Sequence, residues 1–84
     1  MTDLPGKHWR ADDGHHIDVR GLEPPEPMVA ILGYLEREGA SSPVIVHHFR
    51  EPVFIYPELA ERRWSHEIVA GDPDEVRLIL RKIP

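Results

Sequence analysis

The sequence contains no cysteine among its 84 residues. This absence excludes a disulfide framework, a thiolate metal site and covalent sulfur chemistry. It also favours a protein of the reducing cytoplasm, and we therefore predict a cytoplasmic location. No apolar run approaches the roughly 20 residues that a membrane-spanning helix needs, so no membrane association is expected.

Positive charge is scarce as well. Ten Lys and Arg residues stand against fifteen Asp and Glu residues, for a formal net charge of −5. Nonspecific nucleic-acid binding draws most of its affinity from a basic face, so nucleic acid is not an expected partner. The sequence has neither a phosphate-binding glycine loop nor a hydrolase nucleophile motif. We therefore predict no cofactor and no enzymatic activity.

The apolar pattern predicts four strands and two helices in the order βαβαββ, a two-layer α/β sandwich. Residues 1–13 lack this periodicity and are expected to form a loosely ordered N-terminal arm, with a single domain over residues 14–84. The second helix is expected to begin at Pro57 after an irregular lead-in, because the residue before a proline avoids helical geometry. The predicted strands cover 15–19, 43–49, 64–70 and 75–82, and the first helix runs from Pro25 to Gly39.

The segment Asp18-Val19-Arg20-Gly21-Leu22-Glu23-Pro24-Pro25-Glu26-Pro27 is typical of a strand end, a glycine turn and a proline-started helix. It resembles the active loop of the TusA/SirA-like sulfur-carrier superfamily, Gly-Leu-x-Cys-Pro-x-Pro, with Pro24 at the cysteine position. It is more similar still to DUF2249, a family of uncharacterised bacterial proteins. That resemblance includes Arg50-Glu51-Pro52 and the Tyr-Pro-x-Leu-x-x-Arg pattern at 56–62, and it covers about residues 15–82.

The superfamily resemblance implies a four-stranded mixed sheet in the order 1-2-4-3, with both helices on one face. It does not imply sulfur transfer, because proline at position 24 supplies no nucleophile. The DUF2249 resemblance suggests a setting beside hemerythrin-like domains in bacteria that handle nitrogen oxides or oxygen.

A ligand or partner site is predicted at the loop and the segment beside it, where a helix N-terminus meets the carboxyl ends of two parallel strands. An alternative is that Arg20 pairs with a nearby carboxylate and that the prolines only hold the corner. The candidate binding residues are Arg20, Gly21, Glu23, Pro24, Pro25, Glu26, Pro27, Arg50, Glu51 and Tyr56.

The histidines offer only weak candidates for a metal site. His47 or His48 could join nearby carboxylates, but no ligand spacing supports this. The pair His15-His16 is expected at the opposite end of the sheet from His47-His48. On the open face of the sheet, we expect Trp9 to cover an apolar patch near Ile45. The first predicted strand is expected to be an exposed edge, which would allow a homodimer.

Three functional hypotheses follow from these patterns. The favoured one is a small non-enzymatic module that binds a protein partner or a small ligand. The second is a metal- or redox-linked accessory protein in nitrogen-oxide or oxygen metabolism. The third is a degenerate partner of a sulfur relay.

Overall fold

A computed structural model describes residues 4–38 and 42–84 as five strands, two α-helices and one turn of 3-10 helix. Gly39, where the first helix was predicted to end, lies outside these residues. The irregular lead-in to the second helix is confirmed as the 3-10 turn. The elements are β1 (Lys7–Ala11), β2 (Gly14–Asp18), α1 (Glu26–Glu38), β3 (Val44–His48), the 3-10 turn (Val53–Ile55), α2 (Tyr56–Glu61), β4 (Trp64–Ala70) and β5 (Val76–Lys82).

The strands form one mixed sheet in the order β1-β2-β3-β5-β4. β2 and β3 are parallel, and the other neighbouring pairs are antiparallel. The register of the parallel pair places His16 opposite Ile45 and Asp18 opposite His47. The carboxyl ends of β2 and β3 therefore lie side by side at one end of the sheet. The loop at 19–25 follows β2 there, and the segment at 49–54 follows β3.

The prediction of four strands is wrong, because β1 forms within the segment that was expected to be a loosely ordered arm. β1 pairs with β2 through a turn at Asp12 and Asp13. Most of its side chains are exposed, so it lacks the buried alternation that indicates a strand in a sequence. The stability of β1 comes from backbone pairing with β2 and not from the burial of apolar side chains. β2 is consequently an interior strand and not the exposed edge that was expected.

One buried apolar cluster joins both helical segments to the inward-facing residues of β2, β3, β4 and β5. Its members come from both helical segments and all four of these strands, so the helices pack on the same face of the sheet. The buried residues of α1 lie on the side of the helix that faces the sheet, and Met28 is partly buried at the margin of this cluster. The cluster comprises Ile17, Val19, Ala30, Ile31, Leu32, Leu35, Val44, Val46, Ile55, Leu59, Trp64, Leu78 and Leu80.

Candidate functional site

An apolar cleft of about 150 Å³ opens beside the carboxyl ends of β2 and β3. One wall comes from the loop after β2 and the first turn of α1. The other comes from the end of β3, the segment that follows it and the 3-10 turn. The lining residues are Leu22, Pro24, Pro25, Pro27, Met28, His48, Arg50 and Phe54.

Backbone hydrogen bonds hold the loop wall in place. The Val19 N–H donates to the His47 carbonyl at 3.0 Å, which continues the pairing of β2 with β3. The Leu22 N–H then donates back to the Val19 carbonyl across a turn in which Gly21 has a φ of +86°. Glycine suits this position because a side chain is strained at positive φ. The Pro24–Pro25 peptide bond that follows is cis.

Arg20 does not line the cleft, because it is engaged by Asp18. Its Nε and Nη2 atoms donate to the two Asp18 carboxylate oxygens at 2.9 and 2.8 Å, and its backbone N–H donates at 3.0 Å. These bonds lower the pKa of the Asp18 carboxyl group. The alternative that Arg20 forms a local ion pair is therefore the one that the structure shows.

Arg50 and His48 give the cleft its polar groups. The His48 Nδ1 atom accepts the backbone N–H groups of Phe49 and Arg50 at 2.9 and 3.3 Å. Burial, together with the nearby Arg50 charge, lowers the pKa of His48. The ring is therefore neutral at pH 7, with its proton on Nε2. The Arg50 guanidinium makes no ion pair within the described part of the chain.

Glu51 and Tyr56 pair with each other outside the cleft. The Tyr56 hydroxyl donates to Glu51 Oε2 at 2.8 Å, and its ring stacks on His66 with 3.7 Å between the centroids. Burial of the phenol and the bond to Glu51 raise the pKa of Tyr56 to about 12. This hydrogen bond engages the Glu51 carboxylate, so Glu51 contributes no group to the cleft.

The predicted site residues thus divide into two groups. Pro24, Pro25, Pro27 and Arg50 line the cleft together with His48, while the remaining candidates do not. Sequence reasoning missed Phe54 as a lining residue, although an exposed phenylalanine in an irregular lead-in is an available signal. It also missed Leu22 and Met28 as lining residues. The candidates that do not line the cleft are Arg20, Gly21, Glu23, Glu26, Glu51 and Tyr56.

A second polar cluster lies on the sheet face opposite the helices. His16 Nε2 bonds to Asp13 Oδ1 at 2.7 Å, and His16 Nδ1 lies 2.8 Å from His47 Nε2. The His47 Nδ1 atom then bonds to Glu75 Oε2. His16, His47 and Glu75 are all buried. The cluster therefore forms one continuous series of hydrogen bonds across two strands, β2 and β3, and the turns that contain Asp13 and Glu75.

The prediction that the two histidine pairs lie at opposite ends of the sheet is wrong. The strands are only five residues long, and the register sets His16 and His47 two positions apart on one face. Diagonal neighbours at this spacing are within reach of long side chains. Trp9 stacks on both rings, with centroid distances of 5.0 and 5.3 Å, so on this face it packs against the histidine pair. Its covering of an apolar patch near Ile45 stays a prediction.

Both carboxylates in this cluster are ionised. Burial opposes the ionisation of Glu75. Hydrogen bonds from Arg77, the Asp72 N–H and His47 outweigh that effect and lower its pKa to about 2. The hydrogen bond from His16 likewise lowers the pKa of Asp13. With both of its ring nitrogens in these bonds, His47 has no free lone pair for a metal ion. No group of three metal-ligating side chains converges within residues 4–38 and 42–84.

These features define a small mixed α/β protein with an apolar cleft beside the carboxyl ends of two parallel strands. A family model described as uncharacterized conserved protein (DUF2249) matches residues 16–82, and the chain belongs to this family. No curated protein and no solved structure matches the chain. Among the residues that the structure describes, no helix has the length and apolar character that crossing a membrane requires.

Proposed function

We propose that this protein is a non-enzymatic binding module whose cleft holds an apolar side chain of a partner protein next to a carboxylate of that partner. The cleft volume of about 150 Å³ matches that of an engineered apolar cavity that binds benzene. One aromatic or branched side chain would therefore fill it. The conjunction of this cleft with the unpaired Arg50 is the observation that carries the proposal.

Two polar groups specify the anion. The Arg50 guanidinium is a donor without an internal acceptor among the described residues, and guanidinium matches carboxylate geometry. His48 adds a neutral N–H donor at Nε2, since backbone N–H groups occupy its Nδ1 atom. The remaining lining side chains are apolar. A ligand with an apolar group beside a carboxylate satisfies both parts of this lining.

Exposed apolar residues favour a protein partner over a small ligand. Val29, Phe49 and Val53 each adjoin a lining residue in the sequence, and they are 48%, 59% and 58% exposed. Phe54 itself is 55% exposed. Such apolar surface beyond a pocket is typical of an interaction patch, where a central anchor is surrounded by weaker contacts.

The lining also supports a recognition role without catalysis. It contains no hydroxyl, thiol or carboxylate side chain that could act as a nucleophile. Pro24 lies in the cleft wall at the position where the loop of a sulfur carrier has its cysteine. We therefore propose that the protein is a TusA/SirA-like bacterial protein that retained the recognition surface of a carrier without its sulfur chemistry. A cytoplasmic location is part of this proposal.

Titration with short peptides tests the cleft. The probe is the blocked tetrapeptide Gly-Phe-Asp-Gly, compared with Gly-Phe-Lys-Gly and Gly-Ser-Asp-Gly, and binding is followed by amide chemical shifts of the protein. We expect shifts at the cleft residues and affinities that are lower by about tenfold for each altered peptide. Phenylacetate is the small-ligand alternative. If it bound as tightly as the aspartate peptide, the ligand of the cleft would be a small acid and not a protein partner.

Two arginine variants make the test specific. Arg50→Ala is expected to weaken binding of the aspartate peptide about tenfold and to leave the lysine peptide unaffected. Arg20→Ala is the matched control, because Arg20 is engaged by Asp18 and does not line the cleft. An aspartate peptide that binds Arg50→Ala as well as the unaltered protein would contradict the proposal.

A further inference from the structure

Two histidines from neighbouring strands form a buried pair on the face opposite the helices. His16 is 8% exposed and His47 is 5% exposed. Each ring bonds to a carboxylate at its outer nitrogen, Asp13 for His16 and Glu75 for His47. The inner nitrogens, His16 Nδ1 and His47 Nε2, lie 2.8 Å apart. Neither histidine of this pair lines the proposed binding cleft.

The hydrogen bonds determine how many protons the pair holds. Asp13 and Glu75 are ionised and can only accept, so His16 Nε2 and His47 Nδ1 must each carry a proton. The bond between the two inner nitrogens requires a third. Three protons on two imidazole rings leave one positive charge, which the pair shares. The Asp13 and Glu75 carboxylates, at the two ends of this series of hydrogen bonds, stabilise the charge.

Charged groups approach the pair from several packed elements. Arg77 on β5 bonds to Glu75 and partly neutralises it. Asp18 is opposite His47 in the β2–β3 register and is itself paired with Arg20. β4 places the uncharged Val69 opposite Arg77. The full set around the pair is Lys7 opposite Asp18 on β1, Asp13 in the first turn, Asp18 and Arg20 at the end of β2, Asp72 before β5, and Glu75 and Arg77.

A pair without the shared proton cannot keep all three hydrogen bonds. The Glu75 side chain is 1% exposed and accepts from Arg77 and from the Asp72 N–H, so it cannot turn to water. The Asp13 side chain is 66% exposed and can be hydrated. The bond between Asp13 and His16 is therefore the one that breaks. Its loss leaves an exposed carboxylate that water can solvate, whereas loss of the inner bond would leave two unprotonated ring nitrogens facing each other in the interior.

We propose that the His16–His47 pair is a proton-binding site that fastens the N-terminal hairpin to the sheet, and that release of its shared proton frees the hairpin turn at Asp13. The released proton passes to solvent. The stabilising contribution is present while the pair holds the proton and is lost as the pH rises. Trp9 of β1 stacks on both rings. A change in the pair therefore reaches β1 through this contact as well as through the turn.

Nuclear magnetic resonance of protein labelled with ¹⁵N in its histidines measures the proton count directly. We expect protons on three of the four ring nitrogens of His16 and His47, and a scalar coupling between the two inner nitrogens. As the pH is raised, the pair should lose one proton in a single coupled step. Amide protection in β1, corrected for intrinsic exchange, should fall roughly tenfold in the same step.

The Asp13→Asn variant distinguishes a turn whose attachment depends on the shared proton from a turn with a structural role only. An asparagine amide can donate to an unprotonated His16 Nε2, so all three bonds survive with only two ring protons. The pH-dependent loss of protection in β1 should therefore disappear. Asp12→Asn is the matched control, because the exposed Asp12 lies in the same turn without a hydrogen bond to the pair.

Three results would overturn the proposal. The first is a pair that holds two protons throughout the range in which β1 is protected. The second is a β1 whose protection does not change when the pair loses its proton. The third is an Asp13→Asn variant that keeps the pH dependence of the unaltered protein. All three measurements use folded protein. The two substitutions lie in an exposed turn, so the variants are expected to fold.

Discussion

Glu75→Gln is expected to lower the free energy of unfolding by about 2–3 kcal/mol. The Glu75 carboxylate is buried and accepts from Arg77, from the Asp72 N–H and from His47. Hydrogen bonds that involve a charged group contribute about 1.5–3 kcal/mol, and the amide cannot reproduce all of these acceptors. Urea unfolding at neutral pH, followed by circular dichroism, measures the difference.

Glu67→Gln provides the control for Glu75→Gln. Glu67 also bonds to an arginine of β5, Arg81 at 3.0 Å, but both of these side chains are more than half exposed. An exposed ion pair contributes about 0–1 kcal/mol, so this variant should remain close to the unaltered protein. Equal losses for the two variants would show that the burial of Glu75 has no energetic consequence.

The pH dependence of stability gives the same prediction a second readout. The pKa of Glu75 falls from its ordinary value of 4.5 to about 2 in the folded protein. The stabilising contribution is therefore fully present above the unfolded-state value and is lost as the pH falls toward 2. Glu75→Gln should flatten the stability curve in this range. A curve with the steepness of the unaltered protein would contradict the assignment.

Gly14→Ala is expected to lower the free energy of unfolding by about 3–4 kcal/mol. Gly14 has a φ of +136°, and a Cβ there would overlap the Pro43 carbonyl oxygen. That oxygen accepts the His15 N–H at 3.1 Å, so moving it breaks the first pairing of β2 with β3. Backbone strain at positive φ costs about 1–3 kcal/mol, and the steric overlap adds a similar amount. Thermal and urea unfolding measure the loss.

Gly21→Ala isolates the backbone strain from the steric overlap. Gly21 has a φ of +86°, but a Cβ at this position would meet no atom within 4 Å. Only the strain applies, and we expect a loss of about 1 kcal/mol. If Gly14→Ala cost no more than Gly21→Ala, the approach of β2 to Pro43 would not be as close as the structure shows.

Local patterns predicted most of the secondary structure because their causes are local. The period of the apolar residues in α1 and the prolines at 25 and 57 act over a few residues each. β1 was not predicted, because its side chains are mostly exposed and its stability comes from pairing with β2. A strand without a buried face leaves no hydrophobic signal in a sequence.

The candidate site was predicted only in part, for a related reason. The proline loop and Arg50 were recognised because the ends of parallel strands meet at one edge of a sheet. Whether each side chain enters the cleft depends on its partners. Asp18 holds Arg20 beside the cleft, and Tyr56 holds Glu51 away from it. Such pairings depend on distances that sequence spacing does not contain.

The sequence by itself determined that these 84 residues contain no cysteine, the order of the helices and of the four strands that follow β1, and membership of the DUF2249 family. Those properties follow from composition, from local periodicity and from a motif within one loop. Only the tertiary structure decided the histidine pair, whose members are 31 residues apart, and the bond of His47 to Glu75, 28 residues further on. Strand register sets these contacts, and register is a property of the assembled sheet.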